Sequence, residues 1–123
     1  MGAASIALPH RLSEKLSEKY LDDASEVLKK GDLVQASEKF WGATALTIKM
    51  LAAKRGLKLE EQGSLWAFVN VLSIKSGDKD IIRFFNTANA LHRNFYENEM
   101  PKEAVEVSAE DIEKLIDKLR RIS

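Results

Sequence analysis

The sequence predicts an all-α fold, a single antiparallel bundle of about five helices. Apolar residues recur at three- and four-residue spacing along most of the chain, which is the period of a helix with one buried face. One alternating stretch, AVEV at 104–107, is too short to make a useful strand. Gly31, Gly56 and Gly77 divide the chain into segments of helical length, and the short connections favour antiparallel neighbours.

The first two predicted helices follow each other closely. After an N-terminal tail at 1–9, the first helix begins behind Pro9 and carries one apolar stripe with a charged remainder, which is typical of an outer helix. Gly31 ends it. Asp32 is then expected to cap a second helix that runs from about Leu33 to Arg55.

The second half of the chain predicts three more helices. The third covers about Ser64–Lys75, and the fourth covers about Lys79–Glu99, where Pro101 stops it. Lys102–Val107 is expected to be a short linker. Ser108 then has the position of a capping-box residue and is expected to begin a fifth, outer helix.

The composition fits one domain of 123 residues, with a four-helix bundle at 10–100 and a C-terminal helix at 108–123. Hydrophobic residues make up 45%, enough for a core, while 19 basic and 19 acidic side chains cancel. A strong non-specific nucleic-acid binder would carry a basic excess. The chain has no cysteine, which excludes disulfides, thiol nucleophiles and thiolate metal sites, and only two histidines. We therefore expect no metal and no cofactor.

The chain shows no membrane-spanning or targeting segment. The longest run nearly free of charge, Phe40–Ala53, is shorter than the ~20 residues that a membrane helix needs. The tail at 1–9 lacks the basic start of a signal peptide. A cytoplasmic location without a membrane partner is therefore the default expectation.

The second helix is apolar around most of its circumference. One face carries Phe40, Trp41 and Ile48, and Leu46 and Met50 extend the apolar character beyond it. Such a helix is either central in its own fold or shared with a second chain. A small bundle has few central positions, so we expect a homodimer that buries part of the second or fourth helix; a simply well-buried helix is the alternative.

The fourth helix carries the candidate ligand-binding residues. His92 falls within its apolar stripe, and Asn89, Arg93 and Tyr96 lie on the adjoining shoulder. An imidazole, an amide, a guanidinium and a phenol on one flank could hold a phosphate or a base edge. We predict a concave site lined by His92, Asn89 and Tyr96, with Arg93 at its rim. The structural alternative is a hydrogen-bonded packing histidine beside an ion-paired arginine.

Lys49 is the remaining candidate. It is the only charged residue between Phe40 and Ala53. A lysine on an apolar stretch can act as a base, a nucleophile or an anion ligand, but more often its methylenes cover apolar surface while the ammonium stays in water. It would approach the flank of the fourth helix if the second and fourth helices pack antiparallel.

Two stretches together resemble a known family. The segments at 36–57 and 88–100, with the boxes EKFWGA (38–43) and LHRNFYE (91–97), are similar to the archaeal PaREP family, which is placed in the HEPN superfamily of small helical domains. The resemblance covers roughly Leu12 to the end of the chain. It implies an HEPN-like antiparallel helical bundle that is commonly dimeric.

The resemblance carries a motif that this chain keeps only in part. HEPN domains that cleave RNA use an arginine, usually followed by a polar residue, and a histidine after four intervening residues. Arg93 and Asn94 match the first half, but Asn98 stands where the histidine is required, and His92 precedes the arginine. We therefore predict no catalytic residues and a non-enzymatic module that binds a nucleotide, RNA or a protein partner. The alternatives are an RNA-cleaving enzyme with a non-standard site and a pure helical protein-interaction adaptor.

Overall fold

The computed structural model describes residues 10–122, with side chains from position 14 onward, so the predicted tail at 1–9 lies outside the described residues. All five predicted helices are present, and no strand occurs between residues 10 and 122. The all-α prediction is confirmed. The helices are α1 (His10–Lys29), α2 (Leu33–Lys54), α3 (Gln62–Ser76), α4 (Asp80–Glu97) and α5 (Lys102–Ile122).

Several helices begin or end at residues that favour helix caps. The side chain of Asp32 accepts a hydrogen bond of 3.1 Å from the backbone N–H of Gln35, so the predicted cap of α2 is confirmed. Gly77 ends α3 in the left-handed conformation, with φ of 71°. Asn98 does the same at the end of α4, with φ of 49°, a conformation that asparagine adopts more readily than most residues.

The contacts between α2 and α4 show that these two helices run antiparallel. Ser37, near the start of α2, bonds to Asn94, near the end of α4. One turn later on α2, Trp41 lies with its ring centroid 6.1 Å from that of Phe85, which stands earlier on α4. The first half of α2 therefore faces the second half of α4.

α2 is the central helix of the bundle, because it packs against each of the other four helices. Ala43 and Ala52 are both fully enclosed although they lie on opposite sides of the helix. The apolar positions around α2 are thus largely covered within one chain. This agrees with the alternative prediction, that α2 is simply a well-buried helix. The homodimer stays a prediction, but it no longer draws support from α2.

The predicted linker at Lys102–Val107 is wrong. These residues form the first turns of α5, beginning with a hydrogen bond of 3.1 Å from the N–H of Val105 to the carbonyl of Pro101. Val105 has no exposed surface and continues the apolar stripe that passes through Ala109 and Ile112. Ser108 is consequently an interior residue of α5 and not its first cap. The C-terminal helix begins at Lys102 and belongs to the same bundle as the others.

One cluster of buried side chains joins all five helices. Its largest fully enclosed members include Phe40 on α2, Phe85 on α4 and Leu115 on α5. None of the five described helices is both long enough and apolar enough to cross a bilayer. α3 differs from the others because it packs mainly on α4 and, to a smaller extent, on α2, which leaves it at the side of the bundle.

Candidate functional site

His92 connects α4 to α2 through a ring contact and a polar contact. Its imidazole stacks on the indole of Trp41, with ring centroids 4.8 Å apart and an angle of 27° between the planes. Its Nδ1 lies 2.9 Å from Oε1 of Glu38. A carboxylate at that distance selects the tautomer that carries the proton on Nδ1 when the ring is neutral. His92 stands seven residues after Phe85, which explains its place on the face that meets α2.

Tyr96 continues the stack outward from His92. Its ring meets the imidazole edge-on, with centroids 5.6 Å apart and an angle of 82°, and it meets Phe95 in a similar way at 4.9 Å. Tyr96 is nevertheless 72% exposed, whereas Trp41 is only 8% exposed. Trp41, His92 and Tyr96 therefore form a column of rings, here called the ring column, that runs from the core to solvent.

Arg93 and Asn89 have different surroundings, although both lie on the predicted shoulder. Arg93 is exposed and makes no ion pair or side-chain hydrogen bond within the described part of the chain. It precedes Tyr96 by three residues, so the two side chains lie near each other on the helix surface. Asn89 donates to the carbonyl of Phe85 across 2.8 Å and accepts a hydrogen bond from Gln62 at the start of α3. Its amide is therefore engaged in holding α3 to α4.

Lys49 does not join this group. It is exposed and borders a shallow hollow with Lys58 and Leu57 near the end of α2. Eleven residues of helix separate it from Glu38, which corresponds to about 16 Å. Because α2 and α4 run antiparallel, Lys49 is level with the beginning of α4, at the opposite end from His92. The structure therefore brings four of the five candidates onto one edge of α4 and leaves Lys49 apart.

Asn94, which the sequence placed only in the partial HEPN motif, has a structural role. It is 2% exposed, and its Nδ2 donates to the hydroxyl of Ser37 across 3.0 Å. Its Oδ1 accepts two backbone hydrogen bonds of 2.8 Å, from Glu99 and Met100. The polar residue after Arg93 thus faces the core and holds the turn between α4 and α5. Asn98 is the left-handed residue of that same turn.

The charges near the ring column are few and mixed. Glu38 lies beside His92, and the exposed Glu97 and Glu99 follow Tyr96, while Arg93 supplies a positive charge on that edge. The described side chains do not include a group of three or more His, Asp or Glu residues placed to hold a metal ion. What the arrangement offers a ligand is an exposed aromatic face next to one guanidinium.

One comparison identifies the family of this chain, and another supports its fold. The model of the archaeal PaREP1/PaREP8 family matches residues 12–116. The crystal structure of a protein from Sulfolobus solfataricus is similar to this chain, with a TM-score of 0.74 and 29% sequence identity, covering 84% of this chain and 92% of that one. A search of the curated proteins found no match. These similarities assign a fold and a family, and neither description names a reaction or a ligand.

Proposed function

The chain belongs to the archaeal PaREP1/PaREP8 family, and we propose that within it this protein is a non-enzymatic, HEPN-like helical module that binds a nucleotide at the ring column. The observation that carries the proposal is the exposure of Tyr96, which is 72% accessible although its ring makes an edge-to-face contact with His92. A large aromatic ring held in place and left open to solvent is a platform on which a flat ligand can stack.

A nucleobase fits the ring column because every base has a flat face. Stacking of a base on an aromatic side chain contributes about 1–3 kcal/mol and needs no particular base edge. Tyr96 is braced by two edge contacts, from His92 and from Phe95, so its orientation does not have to be fixed when the ligand arrives. The base would therefore lie on the outer face of the Tyr96 ring.

A phosphate fits Arg93. Its guanidinium is exposed, one helical turn from Tyr96, and makes no ion pair within residues 10–122. Guanidinium groups bind phosphate oxygens in a forked geometry. A long RNA strand would need several such cations along its path, whereas the exposed Glu97 lies four residues after Arg93 on the same helix face and Glu99 follows it. One base and one phosphate group favour a single nucleotide over an extended strand.

The surroundings of His92 support binding without catalysis. One face of its ring is covered by Trp41, the ring is nearly perpendicular to that of Tyr96, and its Nδ1 is engaged by Glu38. Asn98, which stands where the HEPN motif requires a histidine, serves as the left-handed end of α4 and has no group that exchanges a proton near neutral pH. The proposal includes a cytoplasmic location and a homodimer whose contact surface lies away from α2.

Calorimetric titration tests the proposal directly. The four ribonucleoside monophosphates, the uncharged nucleosides and inorganic phosphate are titrated separately into the wild-type protein. We expect at least one monophosphate to bind more tightly than its nucleoside, and both to bind more tightly than phosphate. Arg93→Ala should weaken the monophosphate by about 10- to 100-fold, and Tyr96→Ala should weaken the nucleoside by about 5- to 100-fold.

Matched controls are available elsewhere on the surface. Tyr20→Ala removes another exposed tyrosine, and Arg83→Ala removes an exposed arginine at the opposite end of α4. Both variants should bind as the wild type does. Absence of binding at millimolar nucleotide, or binding that survives both Tyr96→Ala and Arg93→Ala, would show that the ring column is not a nucleotide site.

A further inference from the structure

A groove of about 620 Å³, here called the α3 groove, runs along one face of α3. Phe68 and Val71, three residues apart on the helix, form one side of it. Leu57 and Leu59, in the connection between α2 and α3, form the other side, and Ile122 of α5 also lines it. Sites for small molecules usually have volumes of roughly 300–1,000 Å³, so the α3 groove has the size of such a site.

The surface of the α3 groove is mainly apolar and partly open to solvent. Leu57 is 48% exposed and Val71 is 45% exposed, whereas Phe68 and Leu72 are buried beneath them. Apolar side chains that are exposed singly are common on proteins, but a group of them that lines one groove marks a binding surface. A ligand that fits this groove therefore brings apolar surface of its own.

The charged side chains that line the α3 groove are both positive. They are Arg55, at the end of α2, and Lys75, in the last turn of α3. Both are exposed, and neither makes an ion pair within residues 10–122. Glu61 and Asp78, which flank α3, are outside the lining. The groove is therefore complementary to an apolar ligand that carries a negative charge.

Arg55 is held at the groove by two contacts. Its Nη1 donates a hydrogen bond of 3.2 Å to the carbonyl of Leu51, and its guanidinium carbon lies 6.0 Å from the centroid of the Phe68 ring. A guanidinium has five N–H donors, so most of them stay available for a carboxylate or a phosphate. Because Phe68 lies within the groove, an anionic group bound to Arg55 has apolar surface directly beside it.

The width of the α3 groove favours a hydrocarbon chain over a helix of another protein. Leu59 precedes Gln62, the first residue of α3, by three residues, so their Cα atoms lie at most about 11 Å apart. A helix with its side chains is about 10–12 Å wide and does not fit between Leu59 and the first turn of α3. A hydrocarbon chain is much thinner and can lie along the groove.

From these observations we propose that the α3 groove binds one anionic amphiphile, which is an apolar chain that ends in a carboxylate or a phosphate. The anionic group contacts Arg55, and the chain runs along α3 past Phe68 and Val71 towards Ile122. Lys75 lies seven residues after Phe68, about 10 Å further along the helix, so it adds positive charge without touching the anionic group. The ring column shares no residue with this groove, so the proposal is independent of nucleotide binding.

Calorimetric titration of the wild-type chain tests the chemistry of the ligand. The probes are decanoate, decyl phosphate, decanol and decylammonium, each below the concentration at which it forms micelles. We expect both anionic probes to bind, decanol to bind about 5- to 50-fold more weakly than decanoate, and decylammonium to bind more weakly still. Acetate and inorganic phosphate, which have no chain, should not bind at millimolar concentration.

Substitution of the two cations tests where the anionic group lies. Arg55→Gln should weaken decanoate by about 5- to 50-fold and leave decanol unchanged, whereas a distorted groove would weaken both probes. Lys75→Gln should weaken decanoate by less than about 3-fold, because salt screens a charge at that distance. Arg83→Gln removes an exposed arginine outside the groove and is the matched control. A larger loss from Lys75→Gln than from Arg55→Gln would contradict the contact with Arg55.

Substitution of the apolar lining tests where the chain lies. Val71→Gln should weaken decanoate and decanol alike, by about 3- to 20-fold. Ile74→Gln is the matched control, since Ile74 is exposed on the same helix but does not line the groove. Ala67→Phe places a ring in the groove from an exposed position and should abolish binding of both probes. Circular dichroism and thermal unfolding confirm that each variant is folded.

Three results would overturn the proposal. The first is a wild type that binds neither decanoate nor decyl phosphate at millimolar concentration. The second is binding of decanol that equals binding of decanoate, because the positive charge of the groove would then have no role. The third is binding of decanoate that survives both Arg55→Gln and Ala67→Phe, because the chain would then lie elsewhere on the molecule.

Discussion

Asn94 of α4 and Ser37 of α2 share a hydrogen bond inside the core, with Nδ2 of the amide 3.0 Å from Oγ of the hydroxyl. Ser37 has no exposed surface and donates its own proton to the carbonyl of Leu33 across 2.7 Å. The oxygen of the same amide accepts two backbone N–H groups from the segment that leads into α5. One asparagine therefore ties together α2, α4 and the start of the last helix.

Asn94→Ala should lower the free energy of unfolding by about 2–4 kcal/mol. Three hydrogen bonds are lost, and two backbone N–H groups and one hydroxyl lose their partner in or near the core. Ser37→Ala should cost about 1 kcal/mol, and a double-mutant cycle should give a coupling of similar size. Urea denaturation measures all of these values. Asn86→Ala, at an exposed position on α4, is the control and should stay within about 0.5 kcal/mol of wild type.

Val105→Ala should lower the free energy of unfolding by about 1–3 kcal/mol, because Val105 is fully enclosed where α5 begins. Val107→Ala removes the same methyl groups two residues later, where the side chain is 58% exposed, and should cost less than about 0.5 kcal/mol. Denaturation of the two variants side by side measures the contrast. Equal, small losses would mean that residues 102–107 behave as the linker that the sequence predicted.

The pKa of Asp78 lies below its ordinary value because its side chain accepts a hydrogen bond from Lys118, with Nζ 2.7 Å from Oδ2. A depressed pKa in the folded state gives stability that is present above the unfolded pKa of about 3.9 and is lost as pH falls through the folded pKa. We therefore expect Lys118→Met to raise the pKa of Asp78 in an NMR titration. The stability difference between wild type and this variant should narrow as the pH falls below about 4.

The protein should show no appreciable ribonuclease activity. Arg93 is exposed, Asn94 faces the core, and Asn98 cannot exchange a proton near neutral pH, so the acid and base that RNA cleavage needs are missing from this motif. Incubation with labelled single-stranded RNA, with and without divalent cations, measures this. Cleavage that disappears in Arg93→Ala or His92→Ala would establish the enzyme alternative instead.

Arg93→Ala and His92→Ala should differ in stability. Arg93 makes no ion pair within the described residues, so its loss should change the free energy of unfolding by less than about 0.5 kcal/mol. His92 stacks on Trp41 and contacts Glu38, so its loss should cost about 1–2 kcal/mol. Thermal unfolding of both variants and the wild type measures these differences in stability. If Arg93→Ala is the more destabilising change, Arg93 has a structural role and the binding proposal loses its phosphate contact.

The helical period was sufficient to predict the fold class and the boundaries near Asp32 and Gly77, because capping depends on residues close in sequence. The helical period did not predict the residue at which α5 begins. Ser108 has a favourable capping pattern, but burial of Val105 extends the helix beyond it, and burial is a property of the whole bundle. Periodicity also could not distinguish an apolar helix covered by its own chain from one covered by a partner, which is why α2 suggested a dimer.

The relative placement of the candidate residues was predicted in part, for a similar reason. Helical spacing correctly places His92 and Tyr96 on one edge of α4, since that relationship is local. Which side chain faces the core is decided by the neighbouring helices, so Asn94 could not be distinguished from an exposed polar residue beside Arg93. Lys49 lies far from this edge because Ser37, and not a residue near Lys49, is level with the end of α4. The sequence alone does not show which residues of α2 and α4 lie side by side.

The central position of α2 has a consequence for how the molecule opens. Any motion that exposes the amides of α2 must displace several helices at once, so those amides should exchange with solvent only through global unfolding. α3, which rests mainly on α4, can detach while α2 keeps its other neighbours, so its amides should exchange through a smaller local opening. The bundle would then contain two levels of protection against hydrogen exchange, and the amides of α3 would have the lower level.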